Sequence, residues 1–212
     1  ISNTAGDRGG GVYIYFGSSA ALSGGRVAGN TAPDGGGVYV GDSTAVFTQT
    51  GGVLTDNTAD DGGGGVYVAI GSATLSGGQV TGNTATFGGG VYVREGSATL
   101  SGGQITGNTA TSDGGGAYVS QSDATLGLSG SQILSNTADD DGGGVYIGSG
   151  SATLRGGQVI SNTAAEAGGG MYNNNGTLIL VNMTLSGNRA TTSGGGGLWN
   201  NNGTSVLTYT TV

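Results

Sequence analysis

Several residue types that carry chemistry in other proteins are missing from this 212-residue chain or scarce in it. The chain has no cysteine and no histidine, proline occurs once, and its only side-chain cations are five arginines. Without cysteine there are no disulfides or thiolate metal sites, and without histidine the most common metal ligand and general base is lost. A formal net charge of −8 repels phosphate backbones. We therefore expect no nucleic-acid binding.

Long apolar runs are also absent from the sequence. No stretch approaches the ~20 apolar residues that a transmembrane helix requires, so we predict no membrane-spanning segment in this chain. The chain opens within a repeat, at Ser2-Asn3-Thr4-Ala5, and we interpret it as a segment of a longer protein. A missing leader then carries no information about export.

Glycine is abundant, with 51 residues, and runs of glycine separate two features that recur along the chain. The first is Asn followed by Thr or Arg and then Ala, at intervals of 25–28 residues. Its asparagines are Asn3, Asn30, Asn57, Asn83, Asn108, Asn136, Asn162 and Asn188. The second is an aromatic residue after each glycine run: Tyr13, Tyr39, Tyr67, Tyr92, Tyr118, Tyr146, Tyr172 and Trp199. Agreement between the two series over the whole chain indicates a solenoid of repeats.

One repeat unit, residues 88–110, shows how a single coil is built. Apolar residues alternate with polar ones in Val91–Val93, Ala98–Leu100 and Gln104–Thr106, and glycine, serine or asparagine separates these stretches. Alternation predicts half-buried strands, and the separators predict turns. The sequence therefore predicts an all-β parallel β-helix of about eight coils of ~26 residues. We expect three short strands per coil and one solenoid domain over residues 1–212.

Three columns of apolar residues are expected to fill the core of this solenoid. The first lies three residues before each asparagine: Val27, Leu54, Val80, Ile105, Ile133, Val159 and Leu185. The second is Leu22, Phe47, Leu75, Leu100 and Leu154, with either Leu126 or Leu128, and small partners that include Ala20, Ala45 and Ala73. The third is Val12, Val38, Val66, Val91, Ala117, Val145, Met171 and Leu198. Each column is buried only because the next coil covers it.

The asparagine and aromatic series carry different expectations. A buried asparagine at each corner can bond the asparagines above and below it, so we predict a structural ladder there. If Val91 and Val93 point inward, Tyr92 and its equivalents line an outer face. An exposed aromatic row could bind sugar rings or a protein partner, whereas a ladder of stacked rings would only stabilise the fold. The sequence leaves both interpretations open.

Acidic residues gather just before the glycine runs, and we considered them as calcium ligands. The candidates are Asp60, Asp61, Asp139, Asp140 and Asp141. Equivalent positions near Phe87, Ala167 and Ser193 lack an acid, so a solvated acidic turn with no cofactor is our main expectation. The five arginines fall at different positions of the repeat, and no cluster resembles a catalytic site. We therefore predict that the chain is not an enzyme.

The segment Val80-Thr-Gly-Asn-Thr-Ala-Thr-Phe-Gly-Gly-Gly-Val-Tyr92 resembles the repeats of bacterial polymorphic outer-membrane proteins and related β-helical adhesin passengers. The phenylalanine usual at the first motif position is an aliphatic residue here. The segments Met171-Tyr-Asn-Asn-Asn-Gly-Thr and Leu198-Trp-Asn-Asn-Asn-Gly-Thr are similar to the long secreted β-helix proteins of filamentous green non-sulfur bacteria. The resemblance implies a right-handed β-helix that lies outside the cell or on its surface.

Three functions follow as hypotheses. The first is a structural or adhesive surface protein, such as a subunit of a filament, sheath or surface assembly. Its partners would be other protein subunits, or further copies bound through the coil ends. The second is a glycan-binding module that uses the tyrosine and tryptophan series. The third is an ice-binding β-helix that uses the row Thr31, Thr58, Thr84, Thr109, Thr137 and Thr163.

Overall fold

Short strands follow one another closely along residues 2–212, the part of the chain that the computed structural model describes. This part contains thirty strands of two to five residues and no helix. The strands are β1 (Val12–Ile14), β2 (Ser19–Leu22), β3 (Arg26–Ala28), β4 (Thr31–Asp34), β5 (Val38–Val40), β6 (Val46–Gln49), β7 (Val53–Thr55), β8 (Thr58–Gly62), β9 (Val66–Val68), β10 (Ser72–Leu75), β11 (Gln79–Thr81), β12 (Thr84–Ala85), β13 (Val91–Val93), β14 (Ser97–Ser101), β15 (Gln104–Thr106), β16 (Thr109–Ala110), β17 (Ala117–Val119), β18 (Thr125–Ser129), β19 (Gln132–Leu134), β20 (Thr137–Ala138), β21 (Val145–Ile147), β22 (Ser151–Arg155), β23 (Gln158–Ile160), β24 (Thr163–Ala164), β25 (Met171–Asn173), β26 (Thr177–Val181), β27 (Thr184–Ser186), β28 (Arg189–Ala190), β29 (Leu198–Asn200) and β30 (Thr204–Thr208).

Each strand pairs in parallel with the strands four places before and after it, so every coil contributes one strand to each of four sheets. Sheet I runs from β1 to β29 and sheet II from β2 to β30, with eight strands each. Sheet III runs from β3 to β27 and sheet IV from β4 to β28, with seven strands each. The parallel β-helix of about eight coils is confirmed.

Sheet IV is an addition to the three strands per coil that apolar alternation predicts. Most of its strands are two residues long, such as Thr84–Ala85, which pairs with Thr109–Ala110. The backbone of each strand is bonded to the asparagine of the preceding coil, as when Thr84 N donates to Asn57 O at 2.9 Å. A strand with one inward alanine is too short to show a periodic pattern, so the sequence did not reveal it.

The core lies between sheets I, II and III. Val91, Leu100 and Ile105 are almost completely buried, and they represent the three apolar columns. Leu128, rather than Leu126, continues the leucine column, because it is the partner of both Leu100 and Leu154.

The second column departs from the sequence prediction in one coil. Phe47 is in register with Ala20 and Ala73, while the buried Gln49 is in register with Leu22 and Leu75. Phe47 therefore fills a small-residue position, Gln49 interrupts the leucine column, and Ala45 lies in the turn before β6. The predicted places of Phe47 and Ala45 were wrong. The turn between β5 and β6 is two residues longer than that between β9 and β10. Each inward residue of β6 therefore lies one inward position earlier in the strand than the sequence pattern predicts.

The glycine runs have a steric cause that is clear at Gly88 and Gly89. Gly88 has a φ of +60°, a conformation that costs little for glycine and more for other residues. A Cβ on Gly89 would lie 2.3 Å from the carbonyl oxygen of Thr109 in the next coil. The chain can enter sheet I at this corner only without side chains at these positions.

Candidate functional site

The asparagine series forms a continuous hydrogen-bonded ladder at the corner between sheets III and IV. In Asn83, the backbone N and the side-chain Nδ2 donate to Asn108 Oδ1 at 3.0 and 2.9 Å. The same Nδ2 also donates to Leu54 O in the preceding coil at 3.1 Å. This arrangement links three successive coils through one side chain. The series from Asn3 to Asn188 shares the asparagine-to-asparagine bonds, so these amides are occupied inside the protein.

The tyrosines of sheet I form a second continuous stack. Ring centroids from Tyr13 to Tyr172 lie 4.7 to 5.4 Å apart, with interplanar angles of 4° to 20°. Tyr67 is 4% exposed, whereas Tyr13 and Trp199, at the two ends of the series, are 47% and 38% exposed. The rings point away from the apolar core, but each flat face is covered by the next ring.

This burial corrects the expectation of an exposed aromatic row. A sugar ring binds an aromatic side chain by lying on its flat face, and the inner rings of Tyr39, Tyr67 and Tyr146 each lie between two other rings and have no free face. The stack therefore resembles the stabilising ladder that we considered as the alternative. The spacing of the tyrosines predicted the stack, but only their contacts reveal how little of each ring is exposed.

The phenol groups lie among polar partners in the neighbouring coils. Arg94 lies near the hydroxyl of Tyr67, Ser120 near that of Tyr92, and Asn174 near that of Tyr146. Burial is the main reason that the pKa of Tyr146 is raised to about 12. Burial also raises the pKa of Tyr67 and Tyr118. These phenols are held neutral.

The five candidate calcium ligands do not converge on one point. Asp60, Asp61 and Asp139 are exposed, while Asp140 and Asp141 are half-buried on the same corner of a later coil. Residues 2–212 contain no group of three acidic side chains arranged to hold a metal ion. Phe87 occupies the corner between the two sets and packs edge-on against Tyr118, with a centroid distance of 5.3 Å.

Two other members of the acidic series before the glycine runs, Asp34 and Asp113, also lie at this corner, although they were not among the candidate calcium ligands. Asp34 lies 3.7 Å from Arg8, and its Oδ1 is buried without a hydrogen-bond partner among residues 2–212. Asp113 is half-buried, and burial raises its pKa to about 6. Both precede a glycine with positive φ, at Gly35 and Gly114, and this spacing was the available signal.

The arginines remain apart from one another. Arg94 pairs with Glu95 at 3.1 Å, and Arg26 approaches Asp56 at 3.9 Å, both on exposed surface. Neither pair joins a second acid, whereas Arg8 Nε lies 3.8 Å from Asp7 Oδ1 and 3.7 Å from Asp34 Oδ2. Among residues 2–212, no helix is long and apolar enough to cross a membrane.

Comparison with known proteins bears on the fold. No curated protein and no solved structure matches the chain. Residues 46–212, more than three quarters of the chain, match the family model described as a right handed beta helix region. Residues 12–45 continue the same four sheets, with one shift of register between Ala32 and Asp34 in sheet IV. The chain therefore belongs to the right-handed β-helix family.

Proposed function

We propose that this protein is a non-catalytic structural or adhesive component of the cell surface or of an extracellular filament, sheath or layer. One observation carries the proposal: nearly every repeated side chain is used to bind one coil to the next. The apolar columns, the asparagine ladder and the tyrosine stack all run parallel to the long axis. Eight coils at about 4.8 Å each make a rod roughly 40 Å long.

The outer surface supports the same proposal. On the outer face of sheet III, the row Gln79, Gln104, Gln132 and Gln158, whose members are exposed or half-buried, is bonded amide to amide, with Gln104 Nε2 donating to Gln132 Oε1 at 2.8 Å. Such a surface is polar, rigid and nearly uncharged. Resemblance to β-helical surface proteins supports an extracellular or cell-surface location. The partners that we propose are other protein subunits, because parallel edge strands offer unpaired backbone groups.

Immunogold electron microscopy with an antibody against residues 1–212 tests the location. We expect label outside the envelope of intact source cells, and removal of that label by external protease. An antibody against a cytosolic protein is the control and should label only permeabilised cells. Label confined to the cytosol would overturn the proposal.

We propose ice binding as a second candidate, on a face other than the predicted one. The threonines from Thr31 to Thr163 do align in sheet IV, but each strand offers one threonine of this row, and four of the six strands are only two residues long. Sheet II instead presents paired hydroxyls: Ser72 with Thr74, Ser97 with Thr99, and Ser151 with Thr153. Hydroxyl and methyl groups at fixed spacings on a flat, rigid face are suited to ordering water.

Thermal hysteresis measurements separate the two faces. The double variant Thr74→Lys/Thr99→Lys should abolish any hysteresis, because long charged side chains disrupt the flat surface of sheet II. The matched variant Thr84→Lys/Thr109→Lys on sheet IV should retain it. Absence of hysteresis in the unmodified chain would remove this candidate and leave the first untouched.

A further inference from the structure

A serine hydroxyl between two carboxylates distinguishes one corner of the solenoid. Ser112 and Asp113 follow β16, and Asp140 follows β20 in the next coil. Ser112 Oγ lies 3.1 Å from Asp113 Oδ2 and 2.9 Å from Asp140 Oδ2. The backbone holds the coils in this register, because Asp140 N donates to Ser112 O at 2.9 Å.

The number of available hydrogens limits this cluster. A serine hydroxyl donates one hydrogen, and an ionised carboxylate donates none. If both carboxyls are ionised, Ser112 can donate its hydrogen to only one of them. The lone pairs of Ser112 Oγ then face those of the other carboxylate oxygen, and the two repel each other. One added proton removes the conflict. Asp113 Oδ2–H can then donate to Ser112 Oγ, while Ser112 Oγ–H donates to Asp140 Oδ2.

The remaining contacts of Asp113 make it the better place for that proton. Its other oxygen, Oδ1, accepts a hydrogen bond from Asp141 N at 3.1 Å and stays an acceptor when Oδ2 is protonated. Asp113 is also half-buried, and burial disfavours its charged form. We infer that Ser112, Asp113 and Asp140 form a reversible proton-binding site that links two coils.

The charged surroundings of this site are acidic. The titratable groups that face it are Asp140, Asp141, Glu166, Tyr118, Tyr146 and Tyr172. Burial is the largest cause that raises the pKa of Asp113, and Asp141 and Asp140 raise it further. A hydrogen bond from Asp141 N opposes them, and so would a hydrogen bond that Ser112 donated to the ionised carboxylate.

Proton binding here has a defined effect on stability. The folded chain binds a proton at Asp113 at a higher pH than the unfolded chain does, so it holds more protons between about pH 4 and 6. The stabilisation is therefore present at acidic pH and is lost as pH rises through about 6. This inference is independent of the proposed function, since it concerns one corner of the fold.

Carboxyl ¹³C NMR of the full chain, with aspartate side chains labelled, tests the inference. We expect the Asp113 resonance to titrate with a midpoint near pH 6. In Ser112→Ala, the protonated carboxyl loses its acceptor, so the midpoint should fall by about half a pH unit or more. If Ser112 instead donates to ionised Asp113, the same substitution raises the midpoint, and the inference is wrong.

Two controls complete the experiment. Ser122→Ala removes a serine beside Asp123, an exposed pair 3.4 Å apart without a second carboxylate, and it should leave the Asp113 midpoint unchanged. A change in that variant would show that the effect is not local and would overturn the assignment. Calcium is titrated at pH 7.5 as well. Saturable shifts of the Asp113 and Asp140 resonances would identify a cation site in place of a proton site.

Discussion

The inner coils and the outermost described coils are built from the same repeat but differ in how completely it is buried. Met171 has no exposed surface, whereas its register partner Leu198 is only half-buried. Tyr67 lies between two rings, whereas Trp199, in the same series, is partly exposed. A repeat position thus has no intrinsic stabilising value, because the neighbouring coil supplies it.

The asparagine ladder should show the largest difference between the two regions. Asn108→Ala leaves two donors of Asn83 without their acceptor in a buried corner. We expect the free energy of unfolding to fall by about 3 kcal/mol or more. Among residues 2–212, Asn3→Ala deprives no other asparagine of an acceptor, so it should lower the free energy of unfolding by less than ~1 kcal/mol. Urea unfolding combined with amide hydrogen exchange measures both. Equal losses would contradict the dependence on neighbouring coils.

Core truncation in a single column gives the next comparison. Met171→Ala should lower the free energy of unfolding by about 3 kcal/mol, because it removes a fully buried side chain and leaves a cavity. Leu198→Ala, one coil further along the same column, should cost about 1 kcal/mol, since solvent already reaches that position. Equilibrium unfolding of the two variants is the measurement. A larger loss for Leu198→Ala would break the comparison.

Alkaline pH should weaken the inner part of the tyrosine stack. The pKa of Tyr146 is raised to about 12 by burial, whereas a tyrosine in the unfolded chain has a pKa of about 10. The neutral phenol therefore stabilises the fold below pH 10, and this contribution is lost as pH rises through about 12. Unfolding should become easier across this interval, and Tyr146→Phe, which keeps the ring, should reduce the dependence. An identical pH curve for both proteins would refute this prediction.

The smallest expected effect has the opposite sign. Gln49 is buried where Leu22 and Leu75 occupy the adjacent coils, and its Oε1 has no partner among residues 2–212. Gln49→Leu should therefore stabilise the fold by about 1 kcal/mol, because an unpaired polar atom is replaced by the side chain of the neighbouring coils. Thermal unfolding measures the change. A lower melting temperature would show that the amide has a role that its two bonds, to Gly52 O and Gln79 O, do not reveal.

Features that repeat along the chain were predictable from sequence, and features that depend on one turn or one contact were not. The spacing of Asn83 and Tyr92 from their equivalents predicted the solenoid and the number of coils. The shift at Phe47 was missed because a longer turn changes register without altering the alternation. The cluster of Ser112, Asp113 and Asp140 was missed because Ser112 and Asp140 are 28 residues apart and meet only through stacking.

The repeat, the all-β class and most of the three apolar columns follow from the amino-acid sequence, because period-two alternation and glycine-rich turns are local properties. Which side chains are covered depends on how the coils stack. Tyr39 and Tyr67 point away from the core and would be exposed in a single coil, yet adjacent rings bury them. Burial in a solenoid depends on the pair of coils, and for that reason the sequence left open whether the aromatic series is an exposed row or a stack of covered rings.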